Sequence, residues 1–407
     1  MHKSTIKNFV LAVAVIAVCI FLAMRILPRW GDAGDVQTSQ GLEPVVFEGS
    51  GDWPMFHGDQ HLVGRAAGSL PDKLEPLWKF KTDGAITASP VIEAGIVYVG
   101  STDANVYAID METGSKVWAE KVGDAIEAAA CVVDDSVYVG AGDGFLYSLN
   151  KADGSLRWKY ETDGQIVGGA NWTLSPDGSK TWILVGSYDN AVHCVDAESG
   201  KPIWKCETDN YVNGTPAVDE GRTVFGGCDA IIHVVSLADG AKIKGIDSSA
   251  YIAGSAAFLD GCVYVGNYDG EFLKADVASG SILWRYGDKE APFLSTPAIG
   301  SDVVVIGGRD NNVHCISRDK GEVVWIFKTL GEVDGSPVIC GDKVVIGSGD
   351  GRLYMIRMSD GTQVWSYEIG QPLTSSPAVA RGVVVIGSED EYVYAFGSAR
   401  VRQDRKP

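Results

Sequence analysis

The sequence predicts an all-β chain, an eight-bladed β-propeller of four-stranded blades preceded by one N-terminal transmembrane helix. Three observations carry that expectation. Trp78, Trp118, Trp158, Trp204, Trp284, Trp325 and Trp365 are spaced by 40, 40, 46, 80, 41 and 40 residues, and the gap of 80 holds Lys244 where a tryptophan is due. A period of about 40–45 residues with strand-like content marks a propeller blade. An aspartate keeps the same beat at Asp103, Asp143, Asp189, Asp229, Asp269, Asp310, Asp350 and Asp390. Fifty glycines in 407 residues, beside eleven tryptophans, describe tight turns between aromatic layers and argue against a helical enzyme.

The first element is a short tail, residues 1–8, expected on the cytoplasmic side. Phe9 to Met24 is a run of sixteen apolar residues, about 24 Å long as a helix. Arg25, Ile26 and Leu27 extend it toward the ~30 Å hydrocarbon layer, with the arginine snorkelling to the headgroups. Residues 9–27 are therefore expected to be an uncleaved signal anchor. No small-x-small cleavage pattern follows them, and Val18 stands where lipidation of Cys19 would need a small residue. The rest of the chain is then expected in the periplasm or an equivalent extracytoplasmic space. Residues 28–50, acidic and aperiodic toward their end, read as a linker.

The propeller is expected over residues 51–397. Its first strand is an orphan, Glu75-Pro76-Leu77-Trp78-Lys79-Phe80, with the signature of an outermost strand. Each unit then opens on a segment such as Ser89-Pro90-Val91 or Thr296-Pro297-Ala298. A β-branched run ending in glycine follows, as in Ile96-Val97-Tyr98-Val99-Gly100, and leads to the aspartate turn. Asp-Gly and Asp-Asn there are the chemistry of a hairpin needing positive φ. A third strand and a second turn end in Gly114, Gly154, Gly200, Gly240, Gly280, Gly321 and Gly361, and the tryptophan or Lys244 stands four residues later. Eight aspartate turns against seven glycine turns leave the last unit without a fourth strand, which the orphan supplies. The longer unit around Asn171–Trp182 accommodates its extra residues in a hairpin through Ser175-Pro176-Asp177-Gly178. Residues 398–407 form a basic C-terminal tail.

Charge bounds the partners. With 34 Lys+Arg against 53 Asp+Glu the net charge is −19, the wrong sign for nucleic acid. The seven cysteines after Cys19 form no CxxC and read as isolated buried thiols. His193, His233 and His314 share a third-strand column with Tyr107, Tyr147, Tyr354 and Tyr394, which points to packing. His57 and His61 stand near Asp59 in a loop, a weak metal pattern. Gly140-x-Gly142-x-Gly144 and Gly347-x-Gly349-x-Gly351 sit at hairpins, without the helix N-terminus that phosphate loops exploit. Asn171-Trp172-Thr173 is a glycosylation sequon by pattern. The most informative column, placed in the innermost strand, reads Thr87, Glu127, Val167, Asn213, Ala253, Leu294, Asp334 and Thr374 among small neighbours. Blades are free to differ there, and Glu127, Asn213 and Asp334 are the candidates for central-channel binding.

At Ala108-Ile109-Asp110-x-x-x-Gly114-x-x-x-Trp118, Val195-Asp196 through Trp204, and Ala275-Asp276 through Trp284, the chain resembles the pyrroloquinoline-quinone (PQQ) type of propeller repeat. Asp52-Trp53-Pro54-Met55-Phe56 is similar to the lead-in of such proteins. The resemblance covers about residues 52–397 and implies two branches. The quinoprotein dehydrogenase branch implies PQQ with calcium, long roofing insertions and a vicinal cysteine pair; here the blades are minimal and no Cys-Cys exists. The BamB-like branch implies a non-enzymatic, membrane-attached periplasmic scaffold for outer-membrane protein assembly. The expectation is therefore a protein-binding scaffold with no cofactor and no catalytic or metal residues, its partners envelope or membrane proteins. Its binding surface is expected on the rim turns and the loop at 171–180. A PQQ-dependent oxidoreductase is the alternative, and a ligand- or carbohydrate-binding sensor a second.

Overall fold

The computed structural model describes residues 51–219 and 221–398. The expected cytoplasmic tail 1–8, anchor 9–27, linker 28–50 and all but the first residue of the tail 398–407 lie outside the described residues. Among the described residues no helix is long and apolar enough to cross a membrane.

Short β-branched runs punctuated by Gly and Asp turns fold into eight antiparallel meanders, each hydrogen-bonded in order from its inner to its outer strand. Blade one contains Val91–Glu93, Ile96–Gly100, Asn105–Asp110 and Lys116–Lys121, and blades two to seven repeat it from Cys131, Asn171, Ala217, Ala257, Ala298 and Val338. Middle strands are covered on both faces by the neighbouring blades, so they are almost wholly apolar; Ser136–Gly140 is buried throughout. Outer strands alternate, and in Lys116–Lys121 only Trp118 is buried.

Blade eight is composite, as expected. Ala378–Ala380, Val383–Ser388 and Tyr392–Gly397 are completed by Glu75–Lys81, which pairs antiparallel with Tyr392–Gly397. Each outer strand carries a register shift next to its tryptophan or Lys244, as between Pro76 and Trp78. The bulge turns the indole toward the next blade. There Trp78 Nε1 donates to Met111 O at 2.8 Å, and a Cβ on Gly114, whose φ is +70°, would lie 2.6 Å from the Trp78 ring.

The same clasp recurs around the ring. Trp118 donates to Lys151 O, Trp158 to Ala197 O, Trp204 to Leu237 O, Trp284 to Arg318 O and Trp325 to Met358 O. Trp158 is only half-buried, yet it keeps the full arrangement: a Cβ on Gly200 would lie 2.6 Å from its ring. Lys244 imitates the clasp, its ammonium donating to Ala278 O and its stem covering Gly280.

Trp365 keeps the repeat position but not the clasp of the other six tryptophans. Its indole faces blade eight, whose outer strand comes from the start of the chain, so the second turn with its glycine is missing there. With no glycine to cover, the half-buried ring packs edge-on against Phe396 at 5.7 Å and stacks on Tyr367 at 6.2 Å. The composite closure costs one clasp and replaces it with an aromatic cluster.

Two further features depart from the expectation. The variable column at Thr87, Glu127 and Asn213 lies in the connection before the innermost strand, not in it; that strand begins only at Val91, Cys131 or Ala217. The physical reason is crowding at the axis, where neighbouring blades' connections abut and leave no room for pairing within the blade. Residues 53–66 add a strap that follows the inner edges of the blades. Trp53 pairs with Ile92 of blade one. Carbonyls then accept from one blade after another: Pro54 O from Val132 N, Gln60 O from Val218 N, His61 O from Phe258 N, Val63 O from Ile299 N and Gly64 O from Ile339 N, all at 2.8–2.9 Å. Arg65–Ala66 ends the strap as a fifth, parallel strand on Val338–Cys340 of blade seven.

Candidate functional site at the channel mouth

The connections between blades converge on the axis, and glycine is required where their backbones meet. A Cβ on Gly254 would lie 2.2 Å from Leu294 O, and one on Gly214 2.7 Å from Gly254 O. Serine hydroxyls stitch the blades together at this level. Thr215 N donates to Ser255 Oγ, Thr296 N to Ser336 Oγ and Ser336 N to Ser376 Oγ at 2.9 Å, and Ser376 N to Ser89 Oγ at 3.1 Å across the closure. The ring so formed encloses a cavity of about 170 Å³ that Phe56 lines from the strap.

All three candidates named from the sequence, Glu127, Asn213 and Asp334, line this one cavity. Their states differ. Asp334 is held by Arg309 through two hydrogen bonds of 2.9 and 2.8 Å, with Glu332 3.5 Å from the same guanidinium. Glu127 is exposed. Asn213 Oδ1 is buried without a hydrogen-bond partner, as is Thr87 Oγ1 in the same column.

Sequence reasoning missed the second ring of the mouth. The residue before each turn aspartate reads Thr102, Gly142, Tyr188, Cys228, Tyr268, Arg309, Gly349 and Glu389. Each hairpin tip is zipped by its backbone to the connection before its blade, as in Tyr188 N to Gln165 O, Cys228 N to Tyr211 O and Tyr268 N to Tyr251 O at 2.9 Å. Blades three to five thereby present tyrosines, and blades six to eight present charge. Tyr188 stacks on Tyr211 with centroids 4.7 Å apart and planes at 4°. Burial raises the Tyr188 phenol, and the nearby Glu127 charge acts in the same direction. Tyr211, Tyr251 and Tyr268 are exposed. A variable column was the available signal, masked by the constant aspartate beside it.

The turn aspartates do form the turns, and they do more. Asp103 Oδ1 accepts Asn105 N at 2.8 Å, Asp103 Oδ2 accepts Asp83 N at 3.0 Å, and Tyr107 Oη donates to Oδ2 at 2.6 Å. Burial opposes ionisation of Asp103, but these donors outweigh it and hold its pKa low. The histidine column has the same partner: His193 Nε2 lies 2.9 Å from Asp189, His233 Nε2 2.9 Å from Asp229 and His314 Nε2 3.0 Å from Asp310. Tyr160 and Tyr286 of the preceding blades reach Nδ1 of His193 and His314 at 3.0 and 2.8 Å. His193 and His314 are thereby joints between blades.

His57 Nδ1 and Nε2 lie 2.8 and 3.0 Å from the carbonyls of Leu62 and Pro337, so it pins the strap to the innermost segment of blade seven. His61 Nε2 lies 3.2 Å from Asp219. Among the described residues no cluster of three or more His, Cys, Asp or Glu is arranged to hold a metal ion. The seven cysteines from Cys131 to Cys340 are free thiols, and burial pushes their pKa up. The sequon is closed to a glycan, because Asn171 is fully buried with Nδ2 donating to Gln60 O and Pro216 O. The Ser175–Ser179 turn, expected as a partner-facing loop, joins the first and second strands of its blade and so lies at the opposite end of the ring from the mouth.

The profile described as outer membrane protein assembly factor BamB matches residues 71–177, 168–243 and 228–405. No curated protein matches the chain. Among solved structures, BamB from Moraxella catarrhalis is similar at 20% identity and a TM-score of 0.67, covering 81% of this chain and 99% of its own. A europium-containing methanol dehydrogenase aligns at 11% identity and 0.73, covering 86% and 98%. The quinohemoprotein alcohol dehydrogenase of Comamonas testosteroni aligns at 14% and 0.72, covering 87% and 82%. At these identities the structures share the fold, which scaffolds and enzymes use alike. The profile spans nearly the whole described propeller, and the chain belongs to the outer membrane protein assembly factor BamB family.

Proposed function

We propose that this chain is a membrane-anchored, extracytoplasmic scaffold that binds a protein of the outer-membrane assembly machinery. The observation that carries this reading is the mouth itself. Blades of minimal length put tyrosines and carboxylates on rigid hairpin tips around an opening that no insertion among the described residues covers, the form of a surface for a partner.

The oxidoreductase alternative has the dehydrogenase likeness behind it, and at 11% and 14% identity that likeness concerns the fold. The group it implies, PQQ with calcium, is a planar polyanion that needs cations and stacking faces. Glu127 and Asp334 line the cavity at the axis, whose about 170 Å³ is bounded by glycine backbone and a single aromatic ring, Phe56. Arg309, beside it, is already occupied by Asp334. These residues do not fit the group.

The test uses the tagged full-length chain in its native envelope, cross-linked and purified from membranes. A constant-stoichiometry complex with an outer-membrane assembly component, released by detergent and not by salt, is the expected result. Stoichiometric binding of PQQ with calcium, together with alcohol- or aldehyde-dependent dye reduction, would overturn the reading.

A further inference from the structure

We propose that the channel mouth seats one lysine or arginine side chain of an extended partner segment, its charge held between Glu127 and the tyrosine faces of blades three to five. This rests on the scaffold reading and names the chemistry of the partner. Four observations converge on a cation. Glu127 lines the cavity at the axis with no ion-pair or hydrogen-bond partner among the described residues, whereas Asp334 is satisfied by Arg309. Asn213 Oδ1 is buried in the same wall without a donor, and a buried acceptor of this kind is ordinarily satisfied. A lysine or arginine brings donors and no acceptor. The Tyr188–Tyr211 stack and the half-exposed Tyr268 stand on this side of the mouth, and tyrosine faces attract a cation within about 6 Å of the ring. The chain's net charge of −19 steers a basic segment toward it.

The cavity also sets the size of what enters. Its volume of about 170 Å³ and its Phe56 lining on the strap side suit one long side chain inserted from the mouth, not a polypeptide threaded through the ring. The rim fixes the seat by which carboxylates are engaged. On the charged half Asp334 and Glu332 share the Arg309 guanidinium and Glu389 accepts from Thr374 Oγ1 at 3.1 Å, so Glu127, beside the tyrosine half, is the carboxylate left to hold a partner's cation.

The test is fluorescence anisotropy of labelled Gly/Ser peptides carrying a central Arg, Lys, citrulline or Glu, titrated with the full-length protein in detergent. The Arg and Lys peptides are expected to bind, weakening severalfold as salt rises from ~0.05 to ~0.3 M, and the citrulline and Glu peptides are expected not to. Glu127→Gln and Tyr188→Ala should each weaken the Arg peptide about tenfold. Glu198→Gln, the same charge change on an exposed turn away from the mouth, should leave it unchanged. Melting curves identify any variant that loses its fold, and Glu127→Gln, an isosteric change at an exposed site, keeps the test decisive. Equal binding of Arg and citrulline peptides, or an unaltered Glu127→Gln, overturns the proposal. So does salt-independent binding of a neutral oligosaccharide that Tyr188→Ala abolishes. If Glu127→Gln and Tyr188→Ala still co-purify the envelope partner at wild-type yield, the cation seat fails and the scaffold reading stands. If the peptides bind as expected and no envelope partner is captured, the reverse holds.

Discussion

Lys244 shows how a single position can break a repeat and keep its function. Its ammonium reaches Ala278 O as the indoles reach their carbonyls, but its slender stem buries less apolar surface than a ring. Lys244→Trp should restore the aromatic clasp and stabilise the fold by about 1–2 kcal/mol, read as a higher Tm in thermal denaturation. Trp204→Lys, at the buried clasp of the preceding blade, should lower it. Histidines set the pH response. Burial lowers the pKa of His57, His193 and His233, against carbonyls at His57 and aspartates at the other two, which favour the charged ring. The unfolded chain therefore takes up protons first, so the stability these rings contribute is complete above their unfolded value of ~6.5 and is lost as pH falls through it. A Tm flat above pH ~7 and falling below ~6.5 is expected, with His57→Gln removing part of the slope. The packing role of the histidine column was legible in its interchange with tyrosine. Its aspartate partner, four residues earlier, was in view as a turn former and not as an acceptor: the spacing of four recurs in seven blades, but turn formation alone already accounts for a constant aspartate.

The closing strand and the strap make opposite cases at the level of the element. Glu75–Lys81 was legible because counting turns left one strand missing and one spare, and Trp78 marked the spare as an outer strand. The same count held the exception at Trp365, since eight outer-strand marks cannot all meet a glycine when only seven glycine turns exist. Deleting 72–82 exposes the edge at Tyr392–Gly397 and empties the clasp on Gly114, so aggregation or loss of the melting transition is expected. Trp78→Ala alone should cost about 3 kcal/mol, the lower end for a large aromatic because the ring is only partly buried. That is a large share of the ~5–15 kcal/mol of a typical domain. The strap left no such signature, since it binds largely through main-chain carbonyls that any sequence supplies and does not repeat with the blades. Its buried side-chain pin is His57, and a Cβ on Gly64, at φ +64°, would lie 2.4 Å from that ring. Gly64→Ala should therefore loosen residues 57–66 while the blades persist, seen as new protease cleavage there without loss of the β-sheet circular dichroism.

At the scale of the whole molecule, the period, the blade number and the mode of closure were readable because every blade solves the same packing problem with the same residues. The mouth was half readable. Its inner ring stood out as a variable column among small residues, but the division into a tyrosine half and a charged half exists only once eight hairpin tips are brought into a circle. The acidic surface should make partner association weaken as salt rises, a slope to be measured with the purified complex at constant pH. The strap carries one more consequence, in time and not in space. Residues 53–66 are synthesised before any of the blades they bind, and Glu75–Lys81 before the strand that receives it. The closing strand, made before every blade, is thus the strand that docks last, after a loop closure of about three hundred residues, and the strap completes its contacts only when blade seven exists. A chain halted anywhere short of residue 397 is an open arc with bare edges at both ends, so whatever carries it from the ribosome to its destination must shield two sticky borders until the final hairpin arrives.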